Sequence, residues 1–286
     1  MISSVLSQLF QTLLVVLLAP LLLGWVNQCR AWLQNRSGAG VLQPYRVLHK
    51  LFAKDAVLAD NASSLFRTAP YVQFACMELV ASIVPTVATD LPFAKAADVI
   101  ALVGLFALAR LFAALAAMDI GTAFGSMGAR REMLVAGLAE PALLMIFFTP
   151  VLIVQSTSLT TIVEALAHQQ FVLHASLAFA AVAFVMVALA ENARIPIDNP
   201  STHLELTMIH EAMILEYSAR HLALIEWTSA IKLMNYSAIG IALFMPWGVA
   251  SVGDWSAVPL ALAVLLLKLV LGGAGLALLE TLSAKM

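Results

Sequence analysis

Seven apolar stretches dominate the chain, at roughly 4–27, 69–89, 97–118, 133–154, 171–191, 224–249 and 257–281. Each meets the length needed to cross a hydrocarbon layer, since about 20 helical residues at about 1.5 Å each span about 30 Å. In lipid the backbone must satisfy its own hydrogen bonds, so such stretches become helices. The expected fold is therefore an all-α integral membrane protein with about seven transmembrane helices and room for an eighth. The whole chain, 1–286, is expected to form a single polytopic membrane domain. Composition agrees: 62% of the residues are hydrophobic and 11% charged, whereas a soluble domain carries about 25% charge.

The few charges are placed unevenly. Arg30, Arg36, Arg46, Lys50, Lys54 and Arg67 follow the first stretch, Arg130 and Arg131 the third, and Arg194 and Arg220 the fifth. The alternate loops hold only Lys95. Basic residues mark the cytoplasmic side, so the N-terminus is expected outside and the loops 28–68, 119–132 and 192–223 in the cytoplasm. The first apolar run, Val5 to Val26, lacks a basic flank and is too long for a signal peptide core. It reads as a retained span.

Charges at membrane depth are the first functional candidates: Glu78, Arg110, Glu140, Glu191, Lys232, Lys268 and Glu280. A charge at a helix centre costs roughly 2.5–3.5 kcal/mol on insertion scales, so it pairs, faces the bundle interior or lines water. Static ion pairing and a proton-relaying polar pathway both satisfy that requirement.

Two loops add candidates. Asn35–Tyr45 contains Gly38 and Gly40, which permit tight turns, followed by Val47–Phe52, an apolar and basic stretch suited to an interfacial helix. In the third loop Asn199 and Pro200 read as the start of a helix to about residue 222. That helix would carry His203, Glu205, His210, Glu211 and Glu216. His203 and His210 would share a face, but their spacing is not HExxH, and a titrating polar cluster fits better than a metal site. No metal or catalytic residue is assigned. Cys29 and Cys76 are too few to hold an iron–sulfur cluster. Phosphate-binding and nucleophile motifs are absent, and no basic tract suggests nucleic acid.

Several segments together resemble a family: Asn35–Arg46 with His49-Lys50-Leu51, Met118–Phe124, Gly128–Glu132, Ala139-Glu140-Pro141, Glu191–Pro200 and Glu216-Tyr217-Ser218. In this order, over almost the whole chain, they are similar to the NuoH-like membrane subunits, subunit 1 of respiratory complex I. The branch resembled more closely is that of formate hydrogenlyase and membrane-bound nickel–iron hydrogenases. Ser201 and His203 stand where the family often has acids, and an eighth span is not evident.

The resemblance implies a bacterial or archaeal inner-membrane subunit that anchors a cytoplasmic arm. That arm would comprise a hydrogenase-like large subunit and an iron–sulfur small subunit, and the chain would join it to antiporter-like membrane subunits. Iron–sulfur clusters and nickel–iron would lie in the partners, with none in this chain. Glu140, Glu191, Asp198, Glu205 and Glu216, with Glu78, Lys232 and Lys268, would carry proton or sodium coupling. Arg36, Gln43, Arg46, Arg130, Arg131 and Tyr217 would line the docking loops. The alternative is a quinone-binding membrane subunit of a complex I-type NADH dehydrogenase. A stand-alone transporter and a passive anchor are further classes, and the transporter's inverted repeats are not visible.

Overall fold

The computed structural model describes residues 2–87, 98–168, 175–195, 197–198, 208–249 and 258–283. The described secondary structure is helical apart from one isolated bridge between Asp98 and Ser158. In chain order the helices are α1 (Ile2–Leu33), α2 (Gln43–Phe52), α3 (Ser64–Ile83), α4 (Val99–Asp119) and α5 (Ala123–Val154). They continue with α6 (Leu159–His168), α7 (Ala175–Glu191), α8 (Ile209–Ile214), α9 (Ala219–Phe244) and α10 (Val258–Ser283).

A helix stands at each of the seven expected positions. By length and composition, four can cross a membrane: Gln8–Leu33 within α1, α4, α5 and α10. The protein is a multi-pass membrane protein. The other three are helices of lower apolarity or length. Polar residues such as Gln73 and Glu78 dilute α3, Lys232 and Asn235 dilute α9, and α7 has 17 residues.

α3 packs against α4 and α9, α4 against α5, and α5 against α7 and α8. α1 lies between α10 and α9, and α2 rests across α9 and α1. Polar contacts show that the basic loops share one end of this bundle. Arg30 and Arg194 both reach Glu280, Ser63 N donates to Asp119 Oδ2 at 3.1 Å, and Ser218 Oγ donates to Val57 O at 2.6 Å. At the opposite end Gln8 Nε2 donates to Ser82 O at 3.2 Å, and Thr157 Oγ1 donates to Asp98 Oδ2 at 2.9 Å.

Two loop expectations change. The segment 119–132 is mostly helix, because Thr122 caps α5 by accepting from Gly125 N at 3.3 Å and the helix then runs 32 residues. At about 1.5 Å per residue it is longer than a hydrocarbon core of about 30 Å, and Arg130 and Arg131 are exposed in its N-terminal part. Of the helix expected over 200–222, α8 and the first turn of α9 are described, with a break at 215–218. There Tyr217 turns inward to stack on Phe66, with ring centroids 3.9 Å apart, and Ala219 takes a left-handed φ of 47°. Residues 199–207, including Pro200, Ser201, His203 and Glu205, lie outside the described residues.

The glycine-rich loop after α1 folds back on that helix. Gly40 adopts φ 93° and donates its N–H to Gln28 Oε1 at 3.1 Å. A Cβ on Gly24 would sit 1.9 Å from Val41 O, so only glycine lets the loop approach α1 this closely. Pro44 then opens α2, a favoured first-turn position.

Candidate functional site

α4 is almost wholly apolar, yet Arg110 lies on its buried side with 7% exposure. A guanidinium presents five donors in a planar fork, and this one meets carboxylates from two neighbouring helices. Arg110 Nη1 donates to Glu140 Oε1 at 2.9 Å, Nη2 donates to Glu191, and Nε lies 3.5 Å from Glu132 Oε1. Glu132 and Glu140 come from α5, and Glu191 is the last residue of α7. From α9, Lys232 Nζ approaches Glu191 Oε2 at 3.2 Å. Two cations and three carboxylates thus form one network. Tyr236 flanks Arg110 and Glu191, its ring stacked on Phe106 at 4.7 Å.

The chain just after α7 builds the next pair. Ala193 takes φ 49°, Arg194 N donates to Leu189 O at 2.9 Å, and Ala193 N donates to Ala190 O at 3.2 Å. This is the Schellman pattern that ends a helix on a left-handed residue. It aims Arg194 across the bundle, where Nη1 donates to Glu280 Oε1 at 2.8 Å. Arg30 Nη1 meets the other Glu280 oxygen at 3.4 Å. The two networks line one cavity of about 320 Å³, which also receives Asp198, His210, Glu211 and Glu226. The cavity's wall is thus dense in ionisable groups on seven helices and on the segment between α7 and α8.

Among the described residues, the other expected coupling residues do not join these ion-pair networks. Asp198 is 2% exposed and caps α8, accepting from Ile209 N and His210 N at 3.1 Å each. Lys268, also buried, donates to Met245 O at 2.6 Å and to Trp247 O, with its ammonium 4.6 Å from the Trp247 ring centroid. It satisfies the end of α9 and does not enter the Arg110 network. Glu216 is exposed in the turn before α9, and Glu78 is exposed on α3. Glu205 lies outside the described residues.

Among the docking residues, Arg36, Gln43, Arg46, Arg130 and Arg131 are exposed at the polar end. Tyr217 is not: it is 6% exposed, and its hydroxyl donates to Phe66 O at 3.0 Å. Burial, then the nearby Asp119 carboxylate, raises its hydroxyl pKa above the ordinary tyrosine value. Its role is to pin the loop before α9 to the start of α3. Glu132, Arg194 and Arg30 also join the networks. Their signal is weak in sequence, because each is also an ordinary loop charge.

A second cavity, about 480 Å³, opens between α1, the glycine loop, α2 and α9. Arg30 and Glu226 border both cavities. Among the described residues no group of three or more His, Cys, Asp or Glu is arranged to hold a metal ion.

Comparison with known proteins covers nearly the whole chain. The NADH dehydrogenase family profile matches residues 7–282. Formate hydrogenlyase subunit 4 of Escherichia coli (strain K12) is 32% identical over 283 residues, covering 99% of this chain and 91% of that relative. Hydrogenase-4 component C of the same organism is 34% identical over 264 residues, covering 92% of this chain and 82% of the relative. In fold, the chain is similar to a chain of the membrane-bound sulfane sulfur reductase, an archaeal respiratory membrane complex. The TM-score is 0.84 at 18% identity, covering 98% of this chain and 91% of that one.

Proposed function

We propose, from the premise that this chain belongs to the NADH dehydrogenase family of complex I subunit 1-like membrane proteins, that it is the energy-coupling membrane subunit of a formate hydrogenlyase or hydrogenase-like complex. Its relatives are subunits of such assemblies by name. The basic loops lie on the cytoplasmic side of the inner membrane in this reading. There Arg36, Gln43, Arg46, Arg130 and Arg131 dock an iron–sulfur and nickel–iron hydrogenase arm, while antiporter-like subunits adjoin the bundle.

The observation that carries the coupling role is the shared carboxylate of Glu191, held by cations from two different helices. In a low-dielectric interior, three carboxylates around two cations form a balance that a single proton changes. Protonating Glu140 removes one partner of Arg110 and strengthens its hold on Glu191. Strengthening that hold weakens the competing claim of Lys232. Movement of the segment after α7 acts on the same cavity through Arg194 and Glu280. Redox events in the arm thus reach the membrane as a rearrangement of charge among Glu140, Glu191 and Lys232, with H⁺ or Na⁺ as the coupled ion.

The test of identity is purification of the native complex in mild detergent, with its subunits read by mass spectrometry. The proposal expects a hydrogenase-like large subunit and iron–sulfur proteins without NADH-oxidising subunits. Recovery of this chain alone contradicts it.

A second reading is the quinone-binding subunit of a complex I-type dehydrogenase. The 480 Å³ cavity favours it, with Pro20, Leu23, Val47 and Leu48 beside Gln28, Gln43 and Glu226. Quinone at stoichiometric yield in an organic extract of the purified complex, together with NADH-oxidising subunits, would transfer the assignment.

A further inference from the structure

Among the described residues the outward face of α3 differs from those of other helices. α1, α7 and α10 turn apolar residues such as Leu13, Phe179 and Leu271 outward, as lipid requires. α3 turns out Arg67, Thr68, Tyr71, Ala75 and Glu78, with Leu79 beside the last. The buried stripe of α3 runs through Phe66, Gln73, Met77 and Val80, so Glu78 lies on the opposite side of the helix. Among the described residues the Glu78 carboxylate has no hydrogen bond or ion pair. It lies eleven residues beyond Arg67 and five before the end of α3 at Ile83, about 16 Å and about 8 Å along the axis at 1.5 Å per residue, on a helix whose length of about 30 Å matches a hydrocarbon core. A carboxylate there is costly against lipid and is normally turned to protein, water or an opposite charge.

We infer that this face of α3 is a protein interface within the membrane, where Glu78 meets a basic side chain on a transmembrane helix of another subunit. The partner helix runs beside α3 and offers lysine, arginine or histidine at the depth of Glu78. Ala75, one turn away, keeps the backbone accessible for close approach, as small residues do where membrane helices pack. Thr68 and Tyr71 supply hydroxyls nearer the polar end. Glu78 is thereby a contact residue outside the Arg110 network. The inference uses the multi-subunit reading above and is independent of the coupling role.

The test places a photo-crosslinking amino acid at Ala75 in the intact complex in its native membrane. The expected result is one adduct with another integral membrane subunit, at a helix bearing a basic residue. Glu78→Lys then lowers the adduct and the recovery of that subunit by about threefold to twentyfold, the range for one polar contact between membrane helices. Reversing the charge of the crosslinked basic residue restores both. Adducts with lipid alone, or with a second copy of this chain, while the other subunits copurify, overturn the interface. An adduct whose yield is unchanged by Glu78→Lys overturns the pairing. If the chain purifies without partners, the multi-subunit reading falls and this interface with it.

Discussion

Lys232 Nζ lies 3.2 Å from Glu191 Oε2, an oxygen that already accepts a hydrogen bond from a guanidinium. The two cations are not equivalent. Among the described residues Lys232 serves one carboxylate, whereas Arg110 serves three. Arg110→Met therefore exposes more unbalanced charge than Lys232→Met. Breaking a buried pair from one side costs about 3–5 kcal/mol, and the Arg110 variant is expected at or above the top of that range. Thermal unfolding of the detergent-purified complex, followed through this subunit, measures the order. Equal losses would show that the three carboxylates do not act together.

Tyr217 gives a cleaner case because its two contacts separate. Tyr217→Phe keeps the stack on Phe66 and loses one hydrogen bond, a cost of about 1 kcal/mol. Tyr217→Ala loses the ring as well and is expected to cost about 3–5 kcal/mol, as for large aromatic deletions. The same stability assay reads both, and a Phe variant as damaged as Ala would refute the stacking account.

The same hydroxyl has a pH signature. Its folded pKa is raised above the unfolded value of about 10. The folded form therefore keeps its proton while the unfolded chain loses one. Stability from this group is complete below pH 10 and declines as pH rises from there through the folded pKa. Tyr217→Phe should flatten the alkaline limb of a stability–pH profile relative to the parent. An unchanged limb would contradict the buried, neutral phenol.

Asp198 separates capping from proton transfer. Its carboxylate accepts from two successive amides at the start of α8. Asp198→Ala leaves both donors without their partner, at about 1–3 kcal/mol for a buried polar group. The expected readout is faster amide exchange at Ile209 and His210. Loss of ion translocation with amide protection intact would instead make Asp198 a relay member.

The overall plan of the bundle was readable from the chain because it depends on local quantities. Apolar length located the helices, and the asymmetry of Arg30, Arg130 and Arg194 predicted that their loops share an end. The 81-residue separation of Arg110 and Glu191 carries no local signal, so their pairing is knowable only from packing. Depth alone also grouped Glu78 and Lys268 with the coupling residues. Periodicity separates them: α3 buries the face opposite Glu78, while α10 buries a stripe through Leu265, Lys268, Gly273 and Glu280. On that stripe Lys268 still finds backbone carbonyls at the end of α9, a partner created by where a neighbouring helix stops.

If the Arg110 network links redox turnover to ion movement, as proposed, the two processes come apart when one of its carboxylates is neutralised. Glu140→Gln tests it most directly, since Glu140 is half-exposed and bonded to Arg110 alone among the described residues, so its neutralisation leaves the remaining pairs in place. The complex would be reconstituted in liposomes and its ion translocation measured against electron transfer in the same sample. The expected result is near-normal electron transfer with translocation per electron reduced at least about tenfold, equivalent to about 1.4 kcal/mol on a barrier. Translocation and electron transfer both unchanged would contradict it.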